Sequence, residues 1–205
     1  MPKPGLVVAI LLLTLAPRGA AGQGAPADSV VYHVVSASRF DVKTGKSGLF
    51  GFAGHTHVIR ARAVTGKVVL HPREATKSHV ELTVPTDSLE VLTPPDTAEI
   101  RKVTKAMRTE TLEVDQFPVI QFASKEATPT DSGYHLVVAL TMHGVTKDVP
   151  IDVVVETVGD TLKAKGTFEA KQRDFGIKPF SGGPGGTVKV ADKVTFSFEA
   201  VAVRE

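Results

Sequence analysis

Apolar residues recur at every second position in several segments of this chain. Segments 134–142 and 149–155 both show this alternation. Because successive side chains of a strand point to opposite faces, both segments are predicted to be β-strands with one apolar side. His143 and Gly144 lie in the connection between them, where glycine permits the backbone conformations of a short turn. The pattern predicts a β-hairpin whose apolar face covers another part of the protein, since an isolated hairpin is marginal in water.

Similar alternation predicts strands along most of the remaining chain. The predicted strands cover residues 30–35, 38–43, 57–65, 66–71, 78–84, 119–124, 161–171 and 188–203. Many short alternating strands are typical of an antiparallel sandwich or barrel, and closing a barrel removes exposed strand edges. A barrel of about eight strands has an interior that is either filled by side chains or holds one small ligand. Small inward residues such as Ala164 and Ala200 favour an interior that holds a ligand.

One segment has helical periodicity instead. Asp96 and Glu99 have the spacing of a capping box, which marks the start of a helix. Apolar residues then recur at helical spacing, at Ile100, Val103 and Met107. The sequence therefore predicts an all-β protein with one short amphipathic connecting helix.

The N-terminus has the features of a secretory signal peptide. Lys3 precedes an apolar run over residues 5–16, and small residues follow at 19–22. The apolar run is too short to span a bilayer. We therefore expect a signal peptide over residues 1–22, a flexible segment over 23–29 and one domain over 30–205. No later run is long and apolar enough to predict a transmembrane segment.

Composition narrows the range of partners. Removing Lys3 and Arg18 with the signal peptide reduces the 24 basic residues to 22, which equals the 22 acidic residues. A nearly neutral chain without tryptophan or a basic stripe argues against nucleic acid as a partner. The absence of cysteine excludes a disulfide framework and thiolate metal ligands.

The segment Gly54-His55-Thr56-His57 is the sharpest candidate for chemistry. Two histidines at alternate positions of a strand share a face and could chelate one metal ion. Alternatively, the two histidines are polar residues that line the interior or form hydrogen bonds with a loop. No HExxH motif and no G-x-S-x-G nucleophile elbow occur. The sequence therefore favours a non-enzymatic protein, with a histidine-based metal-binding protein or metalloenzyme as the alternative.

An apolar, glycine-rich segment comes immediately before these histidines. Leu49, Phe50 and Phe52 are its large side chains. They could form the mouth of a cavity or cap the core, and the sequence leaves both interpretations open.

Four short segments resemble the YceI-like family, also called the lipid/polyisoprenoid-binding family. They occur in the family's order and cover residues 108–122, 140–151, 173–177 and 191–198. The resemblance extends over nearly all of residues 32–203. The G-H-x-H element at residues 54–57 resembles that of a subgroup of the family.

The resemblance implies a lipocalin-like antiparallel β-barrel with an elongated apolar pore. It also implies a periplasmic or secreted protein that sequesters or carries an amphiphilic isoprenoid-type lipid or quinone, without a cofactor. The oligomeric state stays open between monomer and homodimer. On this basis the lipid tail is expected to contact Phe40, Leu49, Phe50, Phe52, Phe122, Leu140, Phe168 and Phe175. The polar head is expected to contact His55, His57 and Arg173, with Lys46 as a further candidate.

Overall fold

The computed structural model describes residues 29–47, 56–92, 97–182 and 188–205. Twelve strands and one α-helix, α1 (Thr97–Ala106), form this part of the chain. The strands are β1 (Val30–Val34), β2 (Arg39–Ser47), β3 (Val58–Ala61), β4 (Thr65–Leu70), β5 (His79–Pro85), β6 (Leu89–Val91), β7 (Val119–Thr130), β8 (Gly133–Met142), β9 (Val145–Val158), β10 (Thr161–Lys171), β11 (Ser181–Gly182) and β12 (Val188–Arg204). The predicted signal peptide lies outside the described residues, as does the predicted flexible segment apart from Ser29.

Eight of these strands form a closed antiparallel barrel. They follow the order β1-β4-β5-β7-β8-β9-β10-β12, and β12 pairs with β1 to close the ring. The prediction of an all-β antiparallel barrel with one short helix is therefore confirmed. The described helix is not long and apolar enough to cross a bilayer.

Strand β12 belongs to two diverging sheets because it is long enough to pair with two strands in succession. Its C-terminal part pairs with β1, whereas its earlier residues pair with β2. From β2 the sheet continues to β3 and then β6. The interior of the barrel is therefore bounded by the ring and by this additional sheet.

Helix α1 covers the free edge of β6. The Val91 N–H donates to Thr104 Oγ1 at 3.3 Å. Arg108, in the π-helical turn that follows the helix, donates from Nε and Nη2 to the Leu89 carbonyl oxygen at 3.1 and 2.9 Å. Side chains thus satisfy backbone groups that a further strand would otherwise pair with.

The predicted hairpin is present with a tighter turn than expected. Met142 pairs with Val145, so His143 and Gly144 alone form the connection. Their φ angles are 51° and 74°, which is the backbone conformation of a two-residue type I′ hairpin turn. The alternating residues of both strands face inward, as the sequence pattern predicts.

The buried residues form two clusters. The larger includes Leu140 and Met142 near the hairpin turn, together with Phe175 and Ile177. The smaller consists of Tyr32, Leu162 and Ala202. Some members of both clusters, such as Phe168 and Leu162, also line the cavity that is the candidate site.

Several strand assignments differ from the sequence prediction. Residues 58–61 form the short β3, β4 begins at Thr65, and neither the three-residue β6 nor the two-residue β11 was predicted. Strand β7 extends to Thr130 because a bulge between Ser124 and Glu126 shifts the alternation and hides the continuation.

Candidate functional site: an apolar cavity in the barrel

An apolar cavity lies inside the barrel. Side chains from every described strand except β11 contribute to its wall. Its volume is about 150 Å³. An apolar cavity of this size can hold a hydrocarbon chain.

Stacked aromatic rings form one side of the cavity. The rings of Phe168 and Phe196 are 4.6 Å apart between centroids and nearly parallel, with 3° between their planes. Phe122 meets Phe168 edge-on at 6.5 Å, and Phe40 stacks with Phe198 at 6.1 Å. These rings offer broad apolar faces and no hydrogen-bond donors or acceptors to a ligand.

Small residues on β10 and β12 have two different effects. Ala164 and Ala200 are cross-strand partners that both line the cavity and leave it open. Gly166 lies beneath the ring of Phe198, and a Cβ added at Gly166 would be 2.7 Å from Phe198 Cζ. Gly166 therefore accommodates an aromatic ring instead of enlarging the cavity.

Asp41 is one of the few polar residues at the cavity wall, and its carboxylate forms a bidentate ion pair with Arg60. Arg60 Nε and Nη2 donate to the two carboxylate oxygens of Asp41, each at 2.7 Å. The hydrogen bond that Arg60 donates to Asp41 raises the pKa of Arg60. The two side chains therefore satisfy each other at the cavity wall.

Two further polar residues at the cavity wall bond to the backbone. Ser78 Oγ accepts from the His71 N–H at 3.0 Å. Nδ1 of His79 lies 3.2 Å from the Lys77 carbonyl oxygen. The wall is thus essentially apolar, and the polar groups of Asp41, Ser78 and His79 are already engaged.

The structure brings three of the predicted tail-binding residues to the cavity wall: Phe40, Phe122 and Phe168. Leu140 and Phe175 do not line the cavity; both are fully packed by other side chains, with 0% and 1% of their surface exposed. Leu49, Phe50 and Phe52 lie outside the described residues.

The predicted head-binding residues lie away from the cavity where they are described. Arg173 is on an exposed turn after β10, where its N–H donates to Asp192 Oδ1 at 3.0 Å. The N–H of His57 donates to Thr44 Oγ1 at 3.1 Å, and neither residue lines the cavity. His55 lies outside the described residues, as does the side chain of Lys46.

Sequence reasoning missed many aliphatic residues of the wall. Examples are Val34, Val68, Val80, Leu82 and Val153. Each occupies an inward position of its strand, so the alternation itself was the signal that could have identified them.

No metal centre is formed within the described ranges, where no group of three or more His, Cys, Asp or Glu side chains is arranged to hold an ion. The metal hypothesis involves His55, which those ranges do not include. It stays a prediction.

Together, the closed antiparallel ring and the apolar cavity define a lipocalin-like β-barrel with a hollow interior. The YceI-like domain matches residues 31–202, and the chain therefore belongs to the YceI-like family. No curated protein matches the chain.

Solved structures with the same fold come from several bacteria. BcnA of Burkholderia cenocepacia is 19% identical with a TM-score of 0.66, covering 83% of this chain and 99% of its own. A polyisoprenoid binding domain from Saccharophagus degradans, implicated in plant cell wall breakdown, is 12% identical with a TM-score of 0.62, covering 85% and 98%. The Campylobacter jejuni YCEI protein is 15% identical with a TM-score of 0.55, covering 72% and 84%. At these identities the similarity establishes the fold alone.

Proposed function

We propose that this protein is an exported, non-enzymatic binding protein that sequesters or carries an isoprenoid-type lipid or quinone inside the barrel. The observation that carries the proposal is the apolar cavity enclosed by the barrel strands. The structural neighbour from Saccharophagus degradans, a polyisoprenoid binding domain, supports the same class of ligand. A barrel filled by its own side chains would leave no such space.

Hydrophobic burial supplies the affinity in this proposal. Each 100 Å² of apolar ligand surface removed from water contributes about 2.5 kcal/mol before the entropic cost of binding. An essentially apolar wall discriminates poorly between tails of similar width. We therefore expect several isoprenoid chains to bind, with selectivity determined where the polar head leaves the cavity.

Native mass spectrometry with farnesol tests this proposal. Wild-type protein is expected to carry farnesol, or a lipid retained through gentle purification. Ala200→Leu adds side-chain volume at the cavity wall and is expected to weaken farnesol binding about tenfold, which corresponds to about 1.4 kcal/mol. The matched control is Ala139→Leu, because Ala139 faces outward on β8.

Absence of farnesol and of any lipid adduct from the wild-type protein would refute the proposal. Equal farnesol binding by Ala200→Leu and wild type would show that the cavity is not the binding site.

Export is tested separately by expressing the full chain and fractionating the cells. The exported protein is expected to begin near residue 23, as determined by N-terminal sequencing. Retention of residues 1–22 on a membrane-attached product would contradict cleavage.

A further inference from the structure

We infer that the ligand enters and leaves the cavity sideways, between β5 and β7. This passage, called the seam here, lies between residues 78–80 and residues 124–127. The inference rests on the proposed function, because it concerns how the same cavity is reached.

The strand pairing between β5 and β7 stops within the barrel wall. It runs from Pro85 opposite Val119 to Glu81 opposite Ala123. Beyond Ala123, β7 continues to Thr130 and remains paired with β8 on its other side. Among the described residues, the edge of β7 that faces β5 thus has no strand partner over this final stretch.

A bulge is located where the pairing stops. The register of β7 against β8 shifts between Ser124 and Glu126, which makes Lys125 the extra residue. Lys125 Nζ donates to Asp148 Oδ2 at 2.7 Å and ties the bulge to β9. Bulges bend a strand and end its pairing, which separates β7 from β5 at this position.

A side-chain hydrogen bond takes the place of the strand pairing at the seam. The Val80 N–H donates to Ser124 Oγ at 2.9 Å. A serine side chain can rotate about its Cα–Cβ bond to release this amide, whereas strand pairing breaks only when the backbone moves. The seam therefore opens with less rearrangement than a regularly paired part of the barrel.

The cavity extends to the seam. Ser78, His79 and Val80 on one side and Ala127 on the other all line it. Leu140 and Met142 of the larger cluster and Tyr32 and Ala202 of the smaller one are buried without lining the cavity. A ligand that separates β5 from β7 would reach the cavity without displacing these residues.

The divergence of β1 and β2 from β12 is the other break in the wall, and it is more firmly held. Ser38 Oγ donates to the Val201 carbonyl oxygen at 3.0 Å and accepts from the Val201 N–H at 2.9 Å. The Val35 N–H also donates to the Val201 carbonyl oxygen at 2.9 Å. Three hydrogen bonds hold this junction, compared with the one Val80–Ser124 bond between the two strands at the seam, where the 3₁₀ turn Ala75–Lys77 also packs against β7.

A reversible cross-link tests the inference directly. The chain has no cysteine, so Val80→Cys with Ser124→Cys introduces a single disulfide across the seam. These two positions continue the register of Glu81 and Ala123, and the Val80–Ser124 hydrogen bond places them close together. The measurement is the rate at which bound deuterated farnesol exchanges for unlabelled farnesol, followed by native mass spectrometry.

Oxidation of the seam variant is expected to slow farnesol exchange about tenfold or more, because the two strands can no longer separate. The same protein in its reduced form should exchange at least as fast as the wild type, because Ser124→Cys also removes the hydroxyl that holds the Val80 amide. The control is Thr161→Cys with Val203→Cys, which links directly opposed residues of β10 and β12. Its oxidation should leave the rate unchanged.

A single substitution provides a second test that does not depend on disulfide formation. Ser124→Ala removes the hydroxyl that holds the Val80 amide and is expected to accelerate farnesol exchange about two- to tenfold. Hydrogen–deuterium exchange at the Val80 amide should accelerate as well. Thr141→Ala is the control, since it removes a hydroxyl contact of 2.8 Å to Thr146 in a continuously paired hairpin.

Equal exchange rates in the oxidised and reduced seam variant would overturn the inference while leaving lipid binding intact. If the double-cysteine variant fails to fold, an unchanged exchange rate in Ser124→Ala overturns it. Failure of every protein, including the wild type, to bind farnesol would instead refute the proposed function and, with it, this route of entry.

Discussion

Glu113 and His143 are joined by a hydrogen bond between Glu113 Oε2 and His143 Nε2 at 3.2 Å, and both have left-handed backbone conformations. Their φ angles are 45° and 51°. Such conformations cost roughly 1–2 kcal/mol for residues with a side chain. The His143 ring also packs on Phe117 with 3.9 Å between ring centroids. These contacts join the segment after the helix to the β8–β9 turn.

The first prediction concerns this connection. His143→Ala removes the Glu113 hydrogen bond and the contact with Phe117, and we expect it to lower the free energy of unfolding by about 1–2 kcal/mol. Urea denaturation measures the change. The control is His135→Ala, because His135 pairs with Asp152 on the exposed surface and should contribute little. Equal losses in the two variants would contradict a special role for His143.

A second prediction uses two glycines with left-handed backbones. Gly144 has a φ of 74° and Gly159 a φ of 57°, so alanine is strained at either position by roughly 1 kcal/mol. A Cβ at Gly144 would also lie 3.0 Å from the Phe117 ring, whereas nothing lies within 4 Å at Gly159. Thermal unfolding should therefore show a larger loss of stability for Gly144→Ala than for Gly159→Ala. The reverse order would show that the Phe117 contact adjusts without cost.

The third prediction links packing at the cavity wall to ligand binding. A Cβ at Gly166 would be 2.8 Å from the Asp152 carbonyl oxygen and would push against Phe198. Gly166→Ala is expected to cost about 1–3 kcal/mol of stability and to weaken farnesol binding by displacing Phe198 into the cavity. Native mass spectrometry and urea denaturation measure the two effects.

Ala164→Gly is the matched control for this third prediction, since it destabilises the neighbouring strand position without filling the cavity. If both variants lose farnesol equally, reduced stability and not the position of Phe198 accounts for the loss.

A fourth prediction compares two ion pairs of different exposure. The Arg60 and Asp41 side chains retain 27% and 16% exposure, whereas Arg62 and Glu90 retain 54% and 42%. We expect Asp41→Asn to reduce the free energy of unfolding by about 1 kcal/mol and Glu90→Gln to change it by less than about 0.5 kcal/mol.

The pH dependence of the Arg60–Asp41 pair follows from the raised pKa of Arg60. A group with a raised pKa in the folded state contributes stability until the pH rises past its unfolded pKa. For an arginine this occurs only in strongly alkaline solution. Urea denaturation at pH 7 and pH 9 should therefore give the same loss for Asp41→Asn, and a loss that disappears by pH 9 would contradict this assignment.

Much of the fold could be predicted because it depends on local pattern. Alternation in β8 and β9, with Gly144 between them, indicated the hairpin and which side chains face inward. The alternation was less informative in β7, where one extra residue at Lys125 reverses the faces. Strand β6 was missed because three residues are too few to establish a period.

The candidate site was harder to predict for a different physical reason. Leu136 and Leu140 are on the same face of β8, yet Leu136 lines the cavity and Leu140 is fully packed. Leu140 is fully enclosed in a buried cluster that includes Met107 and Phe175 from distant parts of the chain, whereas Leu136 packs only at the margin of that cluster. The sequence of one strand does not show which residues pack against it from across the barrel.

By itself, the sequence determined the all-β class, the inward faces and the family resemblance, since these follow from the spacing and order of residues along the chain. Tertiary structure alone decided where the barrel is packed and where it is hollow, and where the pairing of β5 with β7 stops. Those features depend on the three-dimensional meeting of segments that are far apart in sequence. The cavity is the space that remains after all of these segments have packed together.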